Sequence, residues 1–215
     1  MTRAGRTERD PSAPPAPTWG AGIADPGPLG LAAFAATTLF LSAKNADLMN
    51  APTEAGVLGL AFFYGGLTQL LAGMWEFTKG NTFGALAFSS YGAFWLSFWY
   101  LVTKGVPAMV AAKATAGDID NAVGTFLLVW TIFTFYMLIA SLRVSGAVAA
   151  VFLFLALTFL FLCIGAYAES TGWTKTGGWF GLITAALAWY ASFAGVTNST
   201  FKRAVLPVFP LADRG

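Results

Sequence analysis

The chain has 215 residues, 57% of them apolar, 16% aromatic and only 10% charged, with a formal net charge of +2. That is too little charge to solvate a soluble domain of this size and too small a positive excess to recruit nucleic acid, so the composition points to an all-α integral membrane protein. With no histidine and a single cysteine, Cys163, an intrachain disulfide is excluded, and neither a metal site nor any other cofactor is expected.

Residues 1–24 carry Arg3, Arg6 and Arg9 in a Pro/Ala-rich run without an apolar core, which reads as a disordered tail rather than a signal peptide. The next seven residues are Asp25, Pro26, Gly27, Pro28, Leu29, Gly30 and Leu31. Two prolines set an extended turn, Pro28 fits the first helical position, and Asp25 is placed to cap the helix start.

Six stretches then contain no charge at all: 29–43, 55–75, 83–103, 122–142, 147–168 and 177–196. Most approach the ~20 residues needed to cross a ~30 Å hydrocarbon core, and the first reaches that length if Asp25 and Asp47 bracket it. Six spans put both termini on one side. The expected organisation is a tail over 1–24, a six-helix transmembrane domain over 25–197 and a second tail over 198–215.

On the first span, Phe34, Thr38, Leu41 and Asn45 share one face, with Thr37 at its edge. Polar groups on an apolar helix suggest an interior path, although a threonine in such a helix can equally bond its own i−4 carbonyl and Asn45 can serve as a helix-end contact. On the second span, Phe62, Gly66, Gln69, Gly73 and Glu76 recur at alternating spacings of four and three and so form a small, polar face. Gln69 carries an amide with up to four hydrogen bonds to satisfy, which fits a path residue or an interhelical tie. Glu76 lies near Lys79, and an interfacial ion pair is the expected arrangement. A polar hinge over 77–82 leads into the third span, where Tyr91 is either a gate or an interhelical hydrogen bond.

Residues 104–121 read as the longest loop. The fourth span carries Thr125, Thr131, Thr134 and Ser141; the fifth is nearly pure Leu, Phe and Ala, which makes Leu155 a core residue. The sixth presents Gly177, Gly181, Thr184, Ala188, Ser192 and Gly195 on one small-residue face suited to close helix packing. With the tails cytoplasmic, that side carries Arg3, Arg6, Arg9, Lys79, Arg143, Lys202, Arg203 and Arg214 against Lys44, Lys104, Lys113 and Lys175 on the other, which favours cytoplasmic termini. The serines have no partner in any recognised nucleophile arrangement, so an enzyme is not expected.

The 25–31 run, Phe63-Tyr64-Gly65-Gly66, the run from Lys79 to Gly84 and the run from Ser90 to Trp95 together resemble the acetate uptake transporter family. That family includes bacterial succinate-acetate permeases and fungal ammonia/acetate export proteins. Its signature has Asn and Ala where this chain has Asp25 and Gly27, placing a carboxylate beside the expected pore mouth. The resemblance implies a six-helix protomer with its own pore, assembled as a homohexamer in the plasma or inner membrane and moving acetate and related short carboxylates, succinate among them, with or as protons. It also implies a constriction made by Phe34, Tyr91 and Leu155. Thr37, Asn45 and Gln69 are then the candidates for replacing part of the cargo's hydration shell. A charge-free path would also pass small neutral solutes such as urea, amides or ammonia, and that reading stands beside the first.

Overall fold

The computed structural model describes residues 22–211. The arginine-bearing tail expected at the start of the chain lies almost wholly outside the described residues. Within them the fold is helical, and the one strand-like feature is an isolated bridge between Ser145 and Pro210. Helix α1 runs Gly27–Asn45. The remaining long helices are α2 (Ala55–Thr78), α3 (Thr82–Ala111), α4 (Ala116–Ser141), α5 (Gly146–Tyr167) and α6 (Thr171–Phe201), and all five are long and apolar enough to cross a membrane. Helix α1 has 19 residues, about 28 Å at about 1.5 Å per residue.

Local chemistry sets these boundaries. At the head of α1 the cap position falls to Pro26, while the Asp25 carboxylate accepts the Gly27 N–H at 3.0 Å. The turn between α2 and α3 needs a left-handed residue, supplied by Gly80 (φ 73°), and Asn81 then caps α3 by accepting the Gly84 N–H at 3.1 Å. The long loop expected over 104–121 is not formed. Helix α3 continues through Lys104 to Ala111, and α4 begins at Ala116 behind a capping box in which Thr115 and Asp118 exchange bonds. Charges end an apolar run without ending a helix.

Two helices contain π-helical segments, Leu60–Thr68 in α2 and Leu101–Gly105 in α3. The wider turn in α2 is matched by Thr68, whose hydroxyl donates to the Phe63 carbonyl five residues back at 2.9 Å. It also shifts the helix phase. The buried side of α2 runs Val57, Ala61, Gly65, Gly66, Gln69, Gly73 and Glu76. Phe62, expected on that face, is instead only half-buried and packs against Trp99 with ring centroids 4.8 Å apart.

The helices form a ring in chain order. Neighbours pack against each other, and α6 closes back onto α1. Close approach at α2–α3 depends on Gly73, which faces the Ser89 backbone, and at α6–α1 on Gly178 and Gly181, which face Ala46 and Ser42. The small-residue face of α6 is thus used inside the protomer, with Ser192 donating to the Pro28 carbonyl at 2.6 Å. The α3–α4 side differs. There the backbones stay apart, and large rings fill the gap: Phe94 contacts Trp130 and Phe126 at centroid distances of 5.1 and 5.6 Å, and Tyr91 contacts Phe133 at 5.2 Å.

After α6 the chain does not leave as a free tail. Asn198 accepts the N–H groups of Val205 and Leu206 at 2.7 and 2.9 Å and donates to the Leu206 carbonyl at 2.8 Å, reversing the chain. The Val208 and Phe209 carbonyls then take the Ala147 and Gly146 N–H groups at the start of α5, at 3.2 and 2.6 Å. Two amides that helix geometry leaves without partners are satisfied this way.

Candidate functional site

Two cavities open inside the ring. The larger, about 680 Å3, lies toward the C-terminal end of α1 and is lined by Phe34, Thr38, Leu41 and Asn45, with Trp95, Leu155, Gly165 and Thr174 among its other walls. The smaller, about 210 Å3, lies toward the N-terminal end of α1 and is lined by Asp25, Gln69, Glu76, Asn81, Tyr91 and Phe152, among others. Phe34 and Leu155 line both. They are 4% and 3% exposed, so two large, buried apolar side chains stand between the cavities.

Tyr91 closes the ring of apolar groups from the side of the smaller cavity. Its centroid lies 5.6 Å from Phe34, and its hydroxyl is 2.9 Å from the Thr134 hydroxyl. Because Thr134 spends its own hydrogen on the Trp130 carbonyl at 2.7 Å, the phenol is the donor and Thr134 the acceptor. Tyr91 is therefore both a wall of the smaller cavity and an interhelical tie.

Charge is confined to the two mouths. Lys44, Asp120 and Glu169 lie along the larger cavity and Asp25 and Glu76 along the smaller, and no charged side chain lies where they meet. Glu76 is 2% exposed and its carboxylate accepts the Asn81 side-chain N–H at 2.9 Å. The expected ion pair with Lys79 is not formed; the Lys79 ammonium instead donates to the Ile23 carbonyl at 3.4 Å. Asn81 wins because it sits in the same turn and can cap α3 with one end of its amide while serving Glu76 with the other. Among the described residues no group of His, Cys, Asp or Glu is placed to hold a metal ion.

The remaining sequence candidates separate by position. Asn45 and Gln69 line the larger and smaller cavity respectively, and the Gln69 Oε1 is buried with no hydrogen-bond partner among the described residues. Thr37 lines neither cavity: it donates to the Ala33 carbonyl at 2.9 Å and packs against Gly65. In the 25–31 run, Asp25, Gly27 and Leu31 line the smaller cavity, while Gly30 admits the Phe88 ring and Pro28 receives α6. The residue sequence reasoning passed over is Trp95, which lines the larger cavity. In a span this rich in aromatics no pattern singles it out.

A family model described as the GPR1/FUN34/yaaH family matches residues 8–213. The chain belongs to this family. Members similar to it include acetate permease A of Emericella nidulans, 44% identical over 205 residues, covering 90% of this chain and 69% of that protein. The succinate-acetate/proton symporter SatP of Escherichia coli K12 is 37% identical over 188 residues, covering 86% of this chain and 95% of that protein. Among solved structures, the bacterial acetate channel SatP superposes with a TM-score of 0.78 at 35% identity, covering 86% of this chain and 99% of that one. This family member is accordingly a multi-pass membrane protein of a transporter and channel family, not an enzyme.

Proposed function

We propose that the two cavities and the apolar ring between them form a transmembrane pathway for acetate and related short carboxylates. The observation that carries this is the sharing of Phe34 and Leu155 by both cavities, with charge at either mouth and none at the meeting point. A bare carboxylate forced through such a ring loses several kcal/mol of hydration even after relaxation. Protonating a carboxyl of pKa about 4.3 at pH 7 costs only about 3.7 kcal/mol, from about 2.7 units at about 1.36 kcal/mol each. The cheaper route carries the acid, or the anion together with a proton.

No lysine or arginine lies at the ring to bind a second carboxylate, so small monocarboxylates pass more readily than dicarboxylates such as succinate. Helix α1, packed along α6 and α2, is read as the sixth span, so both termini share one side, and the lysine and arginine excess of the tails favours the cytoplasmic side. The exposed apolar side chains Phe63, Leu71, Ile132, Ile139 and Phe193 then face lipid or neighbouring protomers of a homohexamer, each protomer carrying its own path.

Uptake of labelled acetate into proteoliposomes tests the reading. Uptake is expected to be faster at about pH 6 than at about pH 8, and to be competed by propionate. Vesicles that pass urea or ammonia but no acetate would instead identify a pore for small neutral solutes.

A further inference from the structure

The segment that follows α6 is fastened both to α6 and to the turn between α4 and α5. On the α6 side, Asn198 makes the three bonds that reverse the chain at Val205 and Leu206, and the Tyr190 hydroxyl donates to the Pro207 carbonyl at 2.7 Å. On the turn side, the Phe209 and Val208 carbonyls accept the Gly146 and Ala147 N–H groups, Pro210 bridges Ser145, and the Leu211 N–H donates to the Val144 carbonyl at 3.4 Å. Residues 203–211 therefore form a strap from the end of α6 to the start of α5.

The strap is bonded, but it is also strained. Lys202, just before it, and Phe209, within it, are non-glycine residues in the left-handed region, with φ of 52° and 54°. Such conformations cost free energy and persist only where the surroundings over-determine them. At Phe209 the surroundings are the α5 start: its carbonyl is committed to the Gly146 N–H, and a side chain at Gly146 would bring a Cβ to 3.1 Å from the Phe209 Cβ. The Phe209 residue is 61% exposed, so hydrogen bonds hold it rather than burial of its ring. A segment held this way can open locally while the helices stay packed.

What the strap holds is part of the wall of the smaller cavity. Val144 in the turn and Val148 in the first turn of α5 both line that cavity, as do Asp25, Glu76 and Asn81. The Val144 carbonyl is bonded to the strap directly. Val148 is reached through one residue, because Ser145, bridged to Pro210, accepts the Val148 N–H on its hydroxyl at 3.2 Å. We propose that residues 203–211 act as a clamp that sets the width of the smaller mouth. While the strap is bonded, Val144 and Val148 are fixed in the wall; when it opens, the α4–α5 turn is freed and the mouth widens. The clamp acts on access to the cavity, whatever the cavity carries.

The test measures labelling of Val148→Cys by a small charged thiol reagent in nanodiscs, in a Cys163→Ala background that removes the buried native thiol. Hydrogen exchange of the Gly146 and Ala147 amides reports separately whether the strap is open. Asn198→Ala removes three bonds and is expected to raise exchange and labelling together, labelling by about tenfold. Tyr190→Phe removes one bond and raises both less, while Asn198→Asp keeps the two accepted bonds and returns both toward wild type. Val106→Cys, on the wall of the larger cavity, is expected to label at its wild-type rate throughout. Exchange that rises without faster Val148→Cys labelling overturns the clamp. Exchange unmoved in both Asn198→Ala and Tyr190→Phe overturns it too, because those contacts then do not hold the strap. Equal acceleration at Val106→Cys does the same, since the fold as a whole has then loosened.

Discussion

Tyr91 and Thr134 make one hydrogen bond, but its two ends are not equivalent. The threonine hydrogen is already committed to the Trp130 carbonyl, so Thr134 contributes a lone pair and Tyr91 a hydrogen. Tyr91→Phe removes the donor and leaves an acceptor atom that still has one partner. Thr134→Val strands a buried phenolic hydrogen. The second change is expected to cost more, about 1–3 kcal/mol against about 1 kcal/mol or less for the first, read as thermal unfolding of purified protein in detergent. The reverse order would place the hydrogen on the other oxygen. At the ring itself, Leu155→Ala removes apolar bulk shared by both cavities. It is expected to admit carboxylic acids longer than acetate, measured as competition of acetate uptake by butyrate and valerate. A competition profile identical to wild type would mean that Leu155 does not set the aperture.

At the scale of elements, the hinge between α2 and α3 concentrates two tasks in Asn81, whose amide oxygen caps α3 and whose amide nitrogen serves the buried Glu76. Aspartate and serine are both good caps, but aspartate brings a second carboxylate against Glu76. Asn81→Asp is expected to unfold at lower temperature than Asn81→Ser, with the gap narrowing as the pH falls and one carboxyl takes a proton. Equal melting temperatures at neutral pH would show that the Glu76 contact contributes nothing. Much of this level was legible in the sequence. The face of Phe34, Thr38, Leu41 and Asn45 follows from a 3.6-residue period in a regular helix, and all four residues line one cavity. The same arithmetic misplaces Phe62, because the π-helical turn in α2 changes the period without changing the composition. The missing long loop was also readable: Thr115 followed three residues later by Asp118 is a capping box, which starts α4 at the point where charge counting still saw loop. The unpartnered Thr38 hydroxyl was not readable, since a hydroxyl that fails to bond its own helix looks in sequence like one that does; among the described residues it has no partner.

For the whole molecule, the pathway reading makes a claim about where the proton travels. Among the described residues Glu76 is the one buried carboxylate, and it lines the smaller cavity away from the ring. If the cargo carries its own proton, Glu76→Gln keeps the faster uptake at low pH; loss of pH dependence in that variant would move the proton onto the protein. The sequence pointed to a helical membrane protein through its charge-free runs and to its family through short motifs. It could not show how the end of the chain is bound. The carbonyls of Val208 and Phe209 bind the Ala147 and Gly146 N–H groups, contacts between residues far apart in sequence that no local pattern encodes.

The closure of the ring by its first and last helices also constrains how the protein is made. Synthesis releases α1 into the bilayer first and α6 last, yet α1 finds its most extensive packing partner in α6. Until that helix arrives, Ser42 lacks the glycine face it packs against and the Pro28 carbonyl lacks the Ser192 hydroxyl. The smaller cavity takes no lining residue from α6 and the larger takes only Thr171 and Thr174, so what α6 adds last is less the wall of either cavity than the contact that fixes α1 in the ring. A nascent chain stopped before Thr171 therefore presents an open arc whose Ser42 hydroxyl and Pro28 carbonyl still await their α6 partners.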